Sequence, residues 1–232
     1  MIDIILPVPK ANADLVGGFV EALLDSTEAA VRVIAVLDGG TQKEIGEVQV
    51  ALSEVDHILM HNPIPIHLNA CIGDARREIR KQFVVIARPE VRLRDKKWVA
   101  KIMRILQVDP VACVIDTLPN TTNSSIAPVK RQLHKAPDDG VRFAVVQGRF
   151  FKATLLGNTT DPIKHLAGVA LRTGCSVWHH GGVNYNLTEH KEHLIWREPS
   201  AVADLSRSPS QTTPASSTPT TTGKGGPTAF DL

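Results

Sequence analysis

The stretch QFVVIARPEVRLRDKKWV (Gln82–Val99) decides the fold. A run of apolar β-formers, Phe83 to Ala87, stops abruptly at Arg88-Pro89-Glu90. A charged connector follows, and then an amphipathic helix carrying Trp98. A short unbroken apolar run of this kind reads as a strand buried on both faces, as in a parallel sheet. Such a strand delivers polar residues to the sheet edge at its C-terminal tip, where open α/β sheets hold their ligands. Here the tip reads Arg-Pro-Glu.

Outward from this point, strands and helices alternate. Ile2–Val8 reads as the first strand. Ala13–Ser26 reads as a helix, with Leu15, Phe19 and Leu23 on one face and Asp14 available as its cap. Val31–Leu37 is a second strand ending in Asp38-Gly39-Gly40-Thr41. The next helix opens with a capping box, Thr41 and Glu44, and buries Ile45, Val48 and Leu52. Asp56–Met60 is the third strand and Phe83–Ala87 the fourth, and the helix after it turns Trp98, Ile102, Ile105 and Leu106 toward the sheet. Val111–Thr117, Arg142–Gln147 and Cys175–His179 complete the pattern. This alternation predicts an α/β fold, a mostly parallel sheet flanked by helices on both faces.

Composition narrows the setting. The chain has 232 residues, 26 basic against 24 acidic side chains, and a formal charge of +2, which argues against a strong nucleic-acid footprint. No apolar run approaches the length of a membrane span, and the N-terminus enters a strand with no signal-peptide pattern, so a cytoplasmic protein is expected. Cys71, Cys113 and Cys175 are odd in number, far apart and in apolar surroundings, as reduced core cysteines are. Composition shifts near residue 199, and from Ser206 to Thr228, 19 of 23 residues are Ser, Thr, Pro or Gly. Such a segment buries too little apolar surface to offset its ordering entropy. The expected organisation is a folded domain over 1–198 and a disordered tail over 199–232. The tail ends in TAFDL, where Phe230 and Leu232 beside an acidic end offer a hook for a protein partner.

Five segments, in order, resemble the family-two inverting glycosyltransferases, which have the GT-A fold. IILPVPKAN (4–12) resembles that family's first strand end, and VLDGGT (36–41) its acidic, glycine-bearing second strand end. VVIARPEVRLRDKKWVAKIM (84–103) falls where the family has a strand, an Asp-X-Asp motif and a Trp-bearing helix. VVQGRFFKATLLGN (145–158) is similar to a glycine followed by a basic, aromatic-bearing segment. TTDPIKHLAGVALRTGCSVWHHGG (159–182) is similar to the helix headed by Glu-Asp. The resemblance covers about residues 2–193. HLNACIGDARREI (67–79) matches the family's Ala-Arg-Asn segment only loosely.

The resemblance implies a nucleotide-sugar donor, an acceptor it does not name, and a divalent cation, Mn2+ or Mg2+, at the fourth strand tip. It places Pro7, Val8, Asp38, Arg88, Gly148 and Arg149 against the substrate, Asp161 as general base, and Glu90 and His193 (or His190) on the metal. The Asp-X-Asp motif is degenerate. Glu90 still offers an oxygen, but Arg88 has no acceptor atom and cannot ligate a metal. Two readings of Arg88 stand: a guanidinium gripping phosphate, so that metal dependence is weakened, or a partner for Glu90 at a silent site. Asp38 reads either as a nucleoside contact or as a turn residue. Asp161 before Pro162 reads as a helix cap as well as a base. The late histidines His179, His180, His190 and His193 also read as solvated imidazoles. Three function classes follow. The first and preferred is a glycosyltransferase. The second is a catalytically inactive GT-A-like binding or structural module. The third, a sugar nucleotidyltransferase, needs a glycine-rich phosphate loop that PVPKANADLVGG (7–18) does not supply.

Overall fold

The computed structural model describes residues 2–66, 68–117, 128–130, 143–157, 159, 161–180 and 185–188. In chain order the elements are β1 (Ile2–Pro9), α1 (Leu15–Ser26), β2 (Val31–Asp38), α2 (Gln42–Leu52), β3 (Asp56–Asn62), α3 (Leu68–Ala75) and β4 (Phe83–Ala87). There follow β5 (Val91–Leu93), α4 (Trp98–Val108), β6 (Ala112–Thr117), β7 (Val129–Lys130), β8 (Phe143–Gln147), α5 (Gly148–Ala153), α6 (Pro162–Arg172), β9 (Ser176–His179) and β10 (Tyr185–Leu187). The main sheet has eight strands in the order β3-β2-β1-β4-β8-β6-β9-β7. Six of the eight share one direction, and β8 and β7 run against them. β5 and β10 form a separate antiparallel pair. The expected mostly parallel α/β sheet is therefore the one observed.

The sheet divides two apolar cores. On one face α1, α2 and α4 bury Phe19, Leu23, Val48, Leu52, Trp98 and Ile102 against alternate residues of β1 and β2. On the other, α3, α5 and α6 bury Cys71, Ile72, Phe151, Ile163 and Leu166 against the opposite residues of the same strands. Burial on both faces is why β1 and β2 read as unbroken apolar runs rather than alternating ones.

Local capping rules hold at only some helix starts, and α4 and α5 begin with no side-chain cap. The capping box at α2 forms: Thr41 N–H donates to Glu44 Oε2 at 2.7 Å and Lys43 N–H donates to Thr41 Oγ1 at 3.3 Å. The Thr41 hydroxyl and amide hold the Glu44 carboxyl down at about 2. Asp14, expected to cap α1, sits at the N-cap position but makes no capping hydrogen bond. Its backbone is already helical (φ −65, ψ −20), because a 3-10 turn over Lys10–Asn12 leads into the helix, whereas a capping residue needs extended backbone.

A buried ionic lock ties the beginnings of three strands together. Asp3 is fully buried in β1, and its Oδ1 accepts from Arg32 Nε of β2 at 3.0 Å. Its Oδ2 accepts from the backbone N–H groups of Arg80 and Lys81, just ahead of β4, at 2.7 and 3.0 Å. Arg32 Nη2 also donates to the Glu78 carbonyl at 2.7 Å. Removing one member of a buried pair leaves the other charge uncompensated. Asp3→Ala is therefore expected to cost about 3–5 kcal/mol in urea unfolding, and a loss within about 1 kcal/mol would show that the lock does not organise the sheet.

Candidate functional site

The strand tips of β1, β2 and β3 come out level, and β4 ends three residues short of them. Register pairs Pro9 with Asp38, and Asp38 with Asn62, across three strands. Carrying the β1–β4 register on from Ile5 beside Ile86 sets Arg88 level with Pro7. The edge thus collects backbone of the first strand, a carboxylate, a carboxamide and the Arg-Pro-Glu triplet. Pro7 and Val8 are both buried, and Val8 packs in the core with no exposure.

Arg88-Pro89-Glu90 is a tight turn joining β4 of the main sheet to β5 of the small one. Val91 N–H donates to the Arg88 carbonyl at 3.1 Å, and Thr188 N–H to the Glu90 carbonyl at 2.9 Å. Arg92, which the sequence did not mark out, fixes the turn to the body. Its Nη1 donates to the Pro89 carbonyl at 2.6 Å and its Nη2 to the Leu15 carbonyl of α1 at 3.1 Å. Gly18 makes room for it, because a Cβ there would stand 2.8 Å from Arg92 Nη2. A glycine pair inside an otherwise well-formed helix, Gly17-Gly18, was the available signal for such a close approach.

Arg88 and Glu90 form an ion pair, Nη1 to Oε1 at 3.4 Å, with side chains 16% and 9% exposed. That separation exceeds the roughly 2.7–2.9 Å of a strong charge-assisted contact. Hard cations take several oxygen ligands, or one or two carboxylates together with substrate phosphates. Among the described residues no group of three or more His, Cys, Asp or Glu is arranged to hold a metal ion. Glu90, beside a guanidinium, does not make a divalent-cation site by itself.

Asp38 is 9% exposed, and its Oδ1 accepts from Ile66 N–H at 2.7 Å. The carboxylate thereby pins the 63–66 loop over the glycines that follow it. Gly39 has φ +78, and a Cβ on it would lie 3.1 Å from Pro65 Cγ, so left-handed backbone and close packing both require glycine. Cys71 lies under the same loop, where burial first and Asp38 second push its thiol up to about 12, as befits an inert core cysteine.

Asp161 caps α6. Its Oδ1 accepts from Lys164 N–H at 2.9 Å, and Pro162 takes the first helical position. α6 leads through a tight turn with Gly174 at φ +78 into β9, which is parallel to β6, so its first turn lies at the same sheet edge as the other tips. Asn69 of α3, also unmarked by the sequence reading, clamps the segment before it. Its Nδ2 donates to the carbonyls of Gly157 (3.3 Å) and Thr159. A single polar residue among Leu68, Cys71 and Ile72 on a buried helix face was its signal.

The structure separates other expected members from this edge. Gly148 and Arg149 lie at the opposite one, because β8 is antiparallel to β4 and pairs Gln147 with Phe83. A strand of five residues spans roughly 17 Å. Gly148 there donates to the Gln82 carbonyl at 2.6 Å, and a Cβ on it would stand 2.5 Å from the Lys81 carbonyl. His180, expected to be solvated, is 5% exposed at the end of β9, and burial followed by the Lys101 charge lowers its pKa. His190, His193, the domain boundary at 198, and Phe230 and Leu232 lie outside the described residues.

No protein-family model and no curated protein sequence matches the chain. Solved structures do. The mannosyltransferase PcManGT from Pyrobaculum calidifontis, solved with GDP-Man and Mn2+, superposes with TM-score 0.67 at 13% identity, over 82% of this chain and 58% of its own. TarS of S. aureus, solved with UDP-GlcNAc, gives 0.63 at 10% identity, over 83% of this chain and 60% of its own. The fold is that of GT-A-type transferases. A Methanothermobacter nucleotidyl transferase gives a lower TM-score of 0.53 at 16% identity, over 78% of this chain and 87% of its own. This chain thus spans about three fifths of the length of PcManGT and of the TarS chain. Among the described residues no helix is long and apolar enough to cross a membrane.

The opposite-edge placement has a direct test. Gly148→Ala forces the Lys81 carbonyl to move, and overpacking of this kind costs about 1–3 kcal/mol. The variant should melt lower than the parent, while any nucleotide bound at the tips keeps its affinity. An affinity loss with unchanged melting would return Gly148 to the ligand site.

Proposed function

We propose that the chain is a glycosyltransferase that moves a sugar from a nucleotide-sugar donor to an acceptor hydroxyl, with weakened metal dependence. The observation that carries this reading is the convergence of the β1–β4 tips, the Arg88-Pro89-Glu90 turn and the Asp161 cap on one sheet edge of a GT-A-type fold. The neighbours solved with GDP-Man and UDP-GlcNAc support the donor class.

In this reading Asp38 and the end of β1 face the nucleoside. The diphosphate lies toward Arg88, whose guanidinium opposes the charge that develops as the sugar leaves. Asp161 removes the proton from the acceptor hydroxyl. The acceptor oxygen bonds the anomeric carbon from the face opposite the departing diphosphate, which takes the bonding pair with it. The capping contact uses Asp161 Oδ1, and one carboxylate has two oxygens, so capping and proton transfer are compatible on one side chain. The Arg88–Glu90 pair favours a second reading, a silent nucleotide-sugar-binding module.

Two experiments decide between them. A panel of nucleotide sugars and nucleoside diphosphates, screened by thermal shift, identifies the donor, since a ligand of the folded state raises the melting temperature. The same ligand in EDTA should give nearly the shift seen with Mn2+, and a shift that collapses on chelation would make Glu90 a metal ligand and overturn the weakened dependence. Asp161→Asn keeps the cap and removes the base. Its turnover should fall at least about a hundredfold with melting almost unchanged. Equal turnover in mutant and parent would leave Asp161 as a cap alone, and absence of transfer in both, with binding retained, would favour the silent module.

A further inference from the structure

We propose that the outer side of β3 is the interface through which two copies of this chain form a dimer, strand against antiparallel strand about Leu59. β3 ends the eight-strand order, and among the described residues no strand pairs with its outer side. It runs beside β2 without a break in register from Asp56 to Asn62. Proteins blunt a free sheet edge with lysine, proline, a bulge or shortness. β7, at the other end of the order, is two residues long and contains Lys130. β3 is seven residues long, unbulged, and free of lysine and proline.

The β2 side determines which backbone groups face outward. Gly39 N–H donates to the Asn62 carbonyl at 2.9 Å, so Asn62 turns its backbone toward β2. Backbone direction alternates along a strand. Ile58 and Met60 therefore turn toward β2 as well, and His57, Leu59 and His61 turn N–H and C=O to the open side.

The strand is chemically symmetric about its centre. In either direction from Leu59 come an unbranched or branched apolar residue, a histidine, and a short side chain ending in an oxygen: Ile58, His57 and Asp56 one way, Met60, His61 and Asn62 the other. Antiparallel pairing of two copies sets Leu59 opposite the partner's Leu59 and His57 opposite the partner's His61. Each such pair, built from outward-facing residues, exchanges two backbone hydrogen bonds. Ile58 falls opposite the partner's Met60, and Asp56 opposite the partner's Asn62, so no like charges meet. A register slipped by two would set Leu59 opposite a histidine and an apolar residue opposite Asp56 or Asn62. Self-complementarity of this kind selects a second copy as the occupant. From His57 to Asn62 the strand is only half-buried, where β2 is buried throughout, and pairing covers what Ile58, Leu59 and Met60 leave exposed. The two sets of strand tips then point in opposite directions.

Sedimentation velocity of the full chain tests the proposal. The chain has a mass of 25.2 kDa, and a species of twice that mass should grow with concentration. An H57K/H61K variant sets lysine opposite lysine in both outer pairs and should dissociate about tenfold more readily. An H57E/H61K variant sets glutamate opposite lysine in the same pairs and should restore the dimer. Should these variants fail to fold, cross-linking decides. Leu59→Cys, oxidised with diamide, which takes up the two thiol hydrogens, should give a reducible covalent dimer, because Cα atoms in a hydrogen-bonded pair lie about 5.5 Å apart. His57→Cys should not, since each His57 faces the partner's His61 and stands four residues from the partner's His57. A monomer at every concentration, a dimer indifferent to H57K/H61K, no rescue by H57E/H61K, or equal cross-linking of the two cysteine variants would overturn the proposal.

Discussion

The arrangement of the strand tips depends on a carboxylate at the far end of the sheet. Asp3 holds β2 through Arg32 and holds the residues ahead of β4 through two backbone N–H groups. Once those starts are aligned, the unbroken register brings β1, β2 and β3 out level. Pro9, Asp38 and Asn62 then form one row, and Arg88 falls two residues behind it, level with Pro7. A one-residue slip in a strand buried on both faces would exchange its two cores. The charge is buried at a desolvation cost, and its oxygens are met by the Arg32 guanidinium and two backbone N–H groups.

Edges, more than individual residues, distinguish the two ends of the molecule. The tip edge carries loops whose conformation is set by glycines at positive φ and by the Asp38 carboxylate. Arg92, braced on α1, keeps the Arg-Pro-Glu turn from splaying away from β4. The start edge carries close backbone contacts, with Gly148 held against the Lys81 and Gln82 carbonyls.

What could be read from the sequence was what local physics determines. Apolar runs located the seven principal strands, most plainly β1, β2, β4 and β8, where burial on both faces leaves an uninterrupted signature. Thr41 with Glu44 and Asp161 with Pro162 located two helix starts, because a cap involves residues only a few positions apart. The direction of β8 was not legible, since an apolar run has no polarity of its own. That is why Gly148 and Arg149 were grouped with the tips and are found at the other edge. β5 and β10 are three residues each, and their pairing joins segments about ninety positions apart, with no local mark. The charges that act on His180, those of Lys101 and Asp95, likewise approach it only in the folded chain. Asp14 failed as a cap because the 3-10 turn before it had already set its backbone.

The central claim is that a nucleotide ligand sits at the β1–β4 tips and not at the edge bearing Gly148 and Arg149. Hydrogen–deuterium exchange resolves the two directly, comparing the chain alone with the chain saturated by whichever of UDP or GDP gives the larger thermal shift. Protection concentrated in 9–12, 38–41, 62–66 and 88–91, with 80–82 and 148–153 unchanged, is the predicted result. Protection in 80–82 and 148–153 without change at the strand tips would contradict it.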